Sequence, residues 1–514
     1  MTTGLSRCGH HSHLDVSGDA LRRCEELPAW RCAMPKRAKP KPLVPHKPAA
    51  TAKPSIVKPA ATAKPSAVKP AAPKPAAAPR VPDDFETAER RVWDPAASSA
   101  APRELLSGTL RRESLSAEIA RGSGLRKLRL AFGERCRAAG VAPLVGAFER
   151  WHFGWLLAAA DSSESLDPLL PQCAAPAADA ELEAELRAAG VEAAAAAALV
   201  ASLRADAAAA AAAQRGQGSS SATGERDGDN GVEVRHGGTG MLHVVHASIG
   251  APLKLSAEHH GKLVAMHAHC GDGAFFNADL LRLLLRYKHL GGSGFQASLG
   301  GGAHAALRAA FGVTPPELFA SPLNARSVPF CSAFPDVDAP FGSIGSFLSF
   351  RPRRGSYEAN PPFAPLLITA MAAHLDALLT RADAAGEPLL FVVVVGAGSA
   401  ARKSEAWAAL QRLASGRFGR ATYDVPLHQH GYTEGHAHIA AAAPARMSSC
   451  ASAIFVVATE AAAEAHPCTP ATEASIRAAF RLAVPRKAKR ATKAMKAKHE
   501  ERKQRRRAHQ KRGR

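Results

Sequence analysis

Aromatic side chains are scarce in this chain of 514 residues, at 5%, and its 45 acidic residues are outnumbered by 66 lysines and arginines. With 46% of residues hydrophobic but so few of them aromatic, alanine carries much of the apolar content, and the core is smaller than that fraction suggests. No uninterrupted apolar run of about 20 residues occurs. The alanine-rich stretch from Val191 to Ala213 comes nearest, and Arg204 and Asp206 break it, so no membrane partner is expected. An apolar h-region near the start is also lacking, which argues against a secretory signal. The nine cysteines are odd in number and form no CxxC pair, so a disulfide framework is not expected and a reducing compartment is. Residues 1–35 hold Cys8, His10, His11, His13, Cys24 and Cys32 without zinc-site spacing, and read as an unassigned leader.

Acidic residues are missing altogether between Lys36 and Arg80, where 11 basic residues stand. From Pro485 to Arg514 there are 15 basic and 2 acidic residues, a charge of +13. The two arms together carry 11 + 13 = +24 of a total of +21, leaving the body near neutral at 21 − 24 = −3. Cationic arms neutralise phosphates and release counterions, so the natural partner is a nucleic acid.

Six segments follow along the chain. After the leader, residues 36–82 form a Lys/Pro/Ala arm with an 11-residue near-repeat, Ala50 to Ala60 and then Ala61 to Ala71; proline at that density forbids helix and ladder, and disorder is expected. Residues 83–213 read as a helical domain, with apolar spacing of three to four through Leu125, Leu128, Leu130 and Phe132 and again through Phe148, Trp151, Phe153 and Leu156. Residues 214–231 read as a flexible linker. Residues 232–484 alternate strands and helices, which predicts an α/β sheet flanked by helices. Strands are expected at Leu242–Ala247, Leu263–His267, before Asn360, at Leu389–Val395 and at Ala453–Ala458, with helices at Ala278–Leu290, Ala303–Phe311, Ala364–Thr380 and Glu405–Ser415. Residues 485–514 are a basic tail in which Arg486-Lys-Ala-Lys-Arg490 and Arg505-Arg-Arg507 read as a nuclear import signal.

The sharpest chemical signal is Asn360-Pro361-Pro362-Phe363. Two prolines after a strand hold a rigid loop at its C-terminal edge, where open α/β sheets bind ligands. The Asn360 side-chain carbonyl and the Pro361 backbone carbonyl can accept both hydrogens of an aromatic amine while Phe363 stacks on its ring. An adenine amine needs this treatment because its lone pair is delocalised, and two acceptors draw it toward tetrahedral geometry. A bare strand-ending turn fits the same four residues.

The flanks carry a wider resemblance. Glu317-Leu-Phe-Ala-Ser-Pro-Leu-Asn324, Phe330-Cys-Ser-Ala-Phe-Pro-Asp336-Val-Asp338, Phe341-Gly-Ser-Ile-Gly345-Ser-Phe347 and Gly355-Ser-Tyr-Glu-Ala-Asn-Pro-Pro-Phe363 follow one another in order, preceded by Arg286-Tyr287 and Gly294-Phe-Gln-Ala-Ser-Leu299. Together they resemble the cap-specific adenosine N6-methyltransferase family, the phosphorylated CTD-interacting factor family. The resemblance implies a Rossmann-like fold using S-adenosylmethionine, with a helical domain packed against it and capped mRNA as substrate. It also implies that Asn360, Pro361, Pro362 and Phe363 hold adenine and that Asn360 and Pro361 lie against the donor. Phe319, Ser321, Pro322 and Asn324 are then expected in the donor pocket, and Asp336 and Asp338 at its ribose hydroxyls or its ammonium.

Three departures stand beside this. No paired-tryptophan WW module is found, so a contact with the transcription machinery is expected only through other means. Ala364-Pro365 stand where the family has an acidic residue, and Gly396-Ala-Gly-Ser-Ala-Ala-Arg402-Lys403-Ser404 replaces a tryptophan- and arginine-bearing loop. That segment lacks the third glycine of a dinucleotide fingerprint and reads as a strand-to-helix turn, from which Arg402 and Lys403 can reach an RNA phosphate. Replacement cap-reading groups are sought in Arg121, Arg126, Lys127 and Arg129, and in the rings of Trp151, Phe153 and Trp155. His428, His430, His436 and His438 alternate without a cysteine partner, and no metal is expected. A DNA adenine methyltransferase and a catalytically silent RNA- or chromatin-binding factor remain open alternatives. Deleting residues 485–514 should weaken RNA affinity uniformly across sequences and flatten its salt dependence, with turnover at saturating substrate unchanged. A salt titration of binding for both chains checks this, and an unchanged slope refutes it.

Overall fold

Ser114 opens the helical part: its hydroxyl accepts from Ala117 N at 3.2 Å and caps α1 (Leu115–Ala138). The structure, a computed structural model, describes residues 88–89, 91–98, 114–160, 166–218, 231–271, 273–291, 295–440 and 445–484, all within one compact unit from Ala76 to Arg514. The leader, most of the Lys/Pro/Ala arm's surroundings, the arm itself and the basic tail lie outside the described residues. After α1 come α2 (Val145–Ala160), α3 (Pro176–Ala188) and α4 (Ala193–Gly218). Helix α4 runs into the segment read as linker, since alanine propagates a helix with little entropic cost. By length and composition its residues Ala193–Gln214 could cross a membrane. In the fold, Ala196, Val200, Leu203, Ala207 and Ala211 are buried in the core, while Arg204 and Asp206 pair with Asp179 at 3.3 Å and Arg135 at 2.6 Å.

A three-stranded antiparallel sheet follows, β1 (Glu233–His236), β2 (Met241–Val245) and β3 (Leu253–Ser256), and leads into α5 (Ala257–Cys270). Here the sequence expectation is corrected: Leu263–His267 is helical, not a strand. Ser256 caps α5 by accepting from His259 N at 3.2 Å, and the buried residues His259, Lys262, Leu263, Met266 and His267 recur at helical spacing. Helices α6 (Phe276–Leu290), α7 (Gly301–Phe311) and the one-turn α8 (Pro335–Asp338) complete the approach to the main sheet.

That sheet is mixed, in the order β4-β5-β9-β6. Its strands are β4 (Gly355–Ala359), β5 (Leu389–Gly396), β6 (Gly419–Val425) and β9 (Ser452–Ala458), with β7 (Gly431–Thr433) and β8 (Ala445–Met447) forming a separate ribbon. β4 and β5 are parallel, and β9 is antiparallel to both its neighbours. Beyond β4 the sheet continues through single bridges: Thr314 N and Leu318 N donate to Ser356 O and Glu358 O at 3.0 and 3.1 Å, and Glu317 bridges Phe330, which bridges Ser343. Every residue of β5 is buried. One face packs Phe391, Val393 and Val395 on α9 (Pro365–Ala384) and α10 (Glu405–Ser415); the other packs Leu390, Val392 and Val394 on α7 and α12 (Pro470–Phe480), just after α11 (Glu460–Ala465). The layers are helix, sheet and helix, an α/β architecture consistent with a methyltransferase fold.

The helical part shares a core with this body, and a buried ionic cluster lies between them. Glu118 on α1 accepts from Arg121 at 2.7 Å and from two nitrogens of Arg286 on α6, both at 2.8 Å. Arg286 reaches on to Asp336 at 2.8 and 3.1 Å, and Arg121 to Asp167 at 2.8 Å. Burial opposes ionisation of Glu118, but the Arg286 and Arg121 guanidiniums prevail and hold its carboxyl below the usual range. Glu118→Ala would leave Arg121 on Asp167 and Arg286 on Asp336 and remove the carboxylate the two share, and should cost about 1.5–3 kcal/mol. Urea unfolding of the two proteins measures it; a loss below about 1 kcal/mol would show the cluster to be dispensable.

Candidate functional site

Residues Asn360–Phe363 leave β4 and enter α9 with no spare length. Ala364 N turns back to Pro362 O at 2.7 Å, and Pro365 occupies the first turn of α9, where a missing N–H is harmless. Asn360 is half-buried, and its Nδ2 donates to Ala297 O at 3.4 Å. A backbone carbonyl can only accept, so this bond fixes the amide's orientation and leaves Oδ1 as the free-facing acceptor. Pro361 is buried. The Phe363 ring meets Tyr432 edge-on at 6.3 Å and lies so close over Gly396 that a Cβ there would stand 2.7 Å from Phe363 Cδ2. Glycine at 396 is therefore a requirement of the ring's position. Tyr432 is fixed in turn: its hydroxyl and His430 Nε2 meet Ser452 Oγ at 2.6 and 2.7 Å.

The segment Glu317–Asn324 runs beside β4 for one bridge and then turns. Asn324 Oδ1 accepts from Ser321 N at 2.7 Å and Ser321 Oγ at 3.0 Å, while its Nδ2 donates to Gln296 O at 3.0 Å. Pro322 is buried and Phe319 packs on Phe347 with centroids 5.4 Å apart. Asn324 and Asn360 are thus brought to consecutive carbonyls, Gln296 and Ala297, of one strap. Sequence reasoning missed a third support: Lys262 of α5, whose buried Nζ donates to Leu323 O at 3.1 Å and Ala325 O at 2.7 Å. Burial, the largest cause, draws its ammonium down to about 7. Its helical spacing with His259 was the available signal, hidden by reading that stretch as a strand.

Other expected residues are used elsewhere. Asp336 is taken up by Arg286, and Asp338 is fully buried, its Oδ2 accepting from Tyr287 OH at 2.7 Å. In the fold both aspartates contact α6, Asp336 through Arg286 and Asp338 through Tyr287, and Asp338 Oδ1 is buried without a hydrogen-bond partner. Arg402 donates to Ala397 O at 3.1 Å and Asp424 at 2.6 Å, with its guanidinium 4.5 Å over the Trp407 ring, whereas Lys403 is exposed. Ser404 caps α10, so the segment after β5 is a strand-to-helix turn. Arg121 is locked in the ionic cluster, Arg129 is spent on Glu149 and the carbonyls of His289 and Leu290, and Trp151, Phe153 and Trp155 are buried. Arg126 and Lys127 remain exposed. Of the four histidines, His430 bonds Ser452, His428 meets Met447, and His436 and His438 stack edge-on at 6.2 Å.

Burial is the main cause that raises the Asp338 carboxyl to about 7, so the folded chain keeps a proton that the unfolded chain releases from about pH 4. The stability this group contributes is present below that pH and is lost as pH rises through about 7. Asp338→Asn removes the titration, so the stability of the wild type relative to the variant should fall between about pH 5 and pH 8. Unfolding curves across that range test it, and a constant difference would refute it.

Comparison with known proteins falls on the same region. Residues 263–435 match the family model described as "Phosphorylated CTD interacting factor 1 WW domain", which overturns the expectation that no such module would be found. In this chain the matched span runs from within α5 through β7. The mRNA (2′-O-methyladenosine-N(6)-)-methyltransferases of Homo sapiens and Mus musculus are each 38% identical to it over 200 residues. Those residues are 37% of this chain, and the chain spans 27% of the length of either relative. The family-model match thus takes in Gln296–Ser298, Glu317–Asn324 and Asn360–Phe363.

Proposed function

We propose that this chain is an S-adenosylmethionine-dependent RNA adenosine N6-methyltransferase acting on the 2′-O-methyladenosine beside the mRNA cap, and that it works in the nucleus. The observation that carries the reading is the Asn360–Phe363 loop at the end of β4, with the Asn360 amide oriented by Ala297 O. The names of the two relatives support the substrate class. When bound, the donor supplies an electrophilic methyl group on a sulfonium. Phe319, Ser321, Pro322 and Asn324 would hold it, a set whose turn is already closed on itself by Ser321 and Asn324. Asn360 Oδ1 and the Pro361 carbonyl accept the two amine hydrogens, and Phe363 stacks on adenine. Both acceptors gain most as the nitrogen becomes tetrahedral, so they favour the transition state over bound substrate. The amine becomes strongly acidic once alkylated, and its proton leaves to water. The exposure of Lys403 supports a contact with an RNA phosphate, and the matching family description supports a contact with the transcription machinery.

Asn360→Ala should lower turnover on capped RNA beginning with adenosine by about 10²–10³, with a smaller effect on KM. Labelled-donor kinetics check this, with a DNA duplex as the parallel substrate. A variant within threefold of wild type would sink the assignment.

A further inference from the structure

His304, Glu317 and Glu358 form a cradle that neither the clamp nor the ionic cluster uses. One ligand atom from each lies within 4.8 Å of the other two, the one such group among the described residues. His304 comes from α7, Glu317 from the segment bridging Phe330, and Glu358 from β4. His304 Nε2 stands 3.8 Å from Glu317 Oε2, and Glu317 Oε1 accepts from Arg326 N at 2.6 Å. Glu358 is 3% exposed and its Oε1 has no partner. A buried carboxylate oxygen left unpaired is costly, and an apolar residue would serve the sheet better. The cations beside it are engaged elsewhere: Lys262 holds the carbonyls of Leu323 and Ala325, and Arg326 those of Leu299 and Arg91. Burial holds the His304 imidazole neutral, drawing it down to about 3, so it presents an acceptor. Three acceptors ringed around one point match three N–H donors on one nitrogen. Acceptors set tetrahedrally about an ammonium at about 2.9 Å lie about 4.7 Å apart.

We propose that this cradle binds the primary ammonium at the amino-acid end of the methyl donor. The inference rests on the donor reading given above and adds the residues that hold the donor's far end. Placement favours it: Glu358 and Asn360 are two residues apart on one edge of the site, a step of about 7 Å along a strand. Glu317 opens the loop that carries Ser321 and Asn324. The ammonium and the sulfonium of such a donor are joined by a short chain, so one ligand can span both points.

Calorimetry on the full chain tests this with S-adenosylhomocysteine, which keeps the ammonium, and 5′-methylthioadenosine, which lacks the amino-acid end. S-adenosylhomocysteine should bind at least about tenfold tighter, a charged hydrogen-bond contribution, and Glu358→Gln should abolish that preference. Thermal unfolding of Glu358→Gln and of His304→Ala establishes that each variant is folded, and either suffices for the comparison. Equal affinity of the two ligands in wild type, or an unchanged preference in both variants, overturns the cradle and leaves the donor reading standing. Binding of neither ligand overturns both. Stoichiometric Zn²⁺ or Mn²⁺ binding that is lost in Glu358→Gln would show a metal site instead, and overturn the ammonium assignment.

Discussion

Three backbone positions in a row, Gln296, Ala297 and Ser298, connect everything around the candidate site. Gln296 O receives Asn324, Ala297 O receives Asn360, and Ser298 exchanges backbone hydrogen bonds with Thr433 at 3.2 and 2.8 Å. A carbonyl can only accept, so it fixes which end of each amide is the NH₂, and one strap sets the polarity of two separate asparagines. A carbonyl cannot be mutated away, which makes the backbone a dependable way to orient an amide side chain. From this strap the clamp gains its direction and the turn at Ser321 its closure.

The central sheet explains why polar groups gather where they do. β5 is buried along its whole length and packs apolar side chains on both faces. β4, beside it, keeps that pattern on one face through Tyr357 and Ala359, and places Ser356 and Glu358 on the other. Buried carboxylates at Glu317 and Glu358 are raised above their usual range, chiefly by burial. Buried carboxyl groups at such a cost are kept where they do something a methyl group cannot. The one side of the sheet edge that is not apolar is the side that carries Asn360.

The helical part is spent on structure. Its tryptophans fill the core, Trp151 donating to Asp179 at 2.9 Å, and Phe153 packs on Phe295 just before the strap at 5.3 Å. Arg129 caps the C-terminal carbonyls of α6, and Glu118 gathers two arginines. A cationic cluster on a helix reads as an RNA surface when its pairing partners lie far off in sequence. Here Asp167 lies 46 residues from Arg121, and Glu149 and the His289 carbonyl lie 20 and 160 residues from Arg129.

What the sequence determined by itself was whatever rests on local rules. Proline density marked the rigid loop at Asn360–Phe363, β-branched runs marked β5 and β9, and helical spacing marked α6, α7, α9 and α10. The ordered motif blocks marked the methyltransferase resemblance. Tertiary structure decided the rest. Leu263–His267 became helix because its buried side chains all face one core, and short strands such as β6 and β7 acquired order only from their partners. Asp336 and Asp338 read as ligand-facing acids, and only the fold brings Arg286 and Tyr287, 50 and 51 residues away, against them. Lys262 and His304 carry no motif, and Glu317 and Glu358 lie inside the motif blocks without a role that their neighbours in sequence disclose. Their meeting depends on four backbone segments packing together, and a buried polar group takes its meaning from neighbours that one-dimensional order does not name.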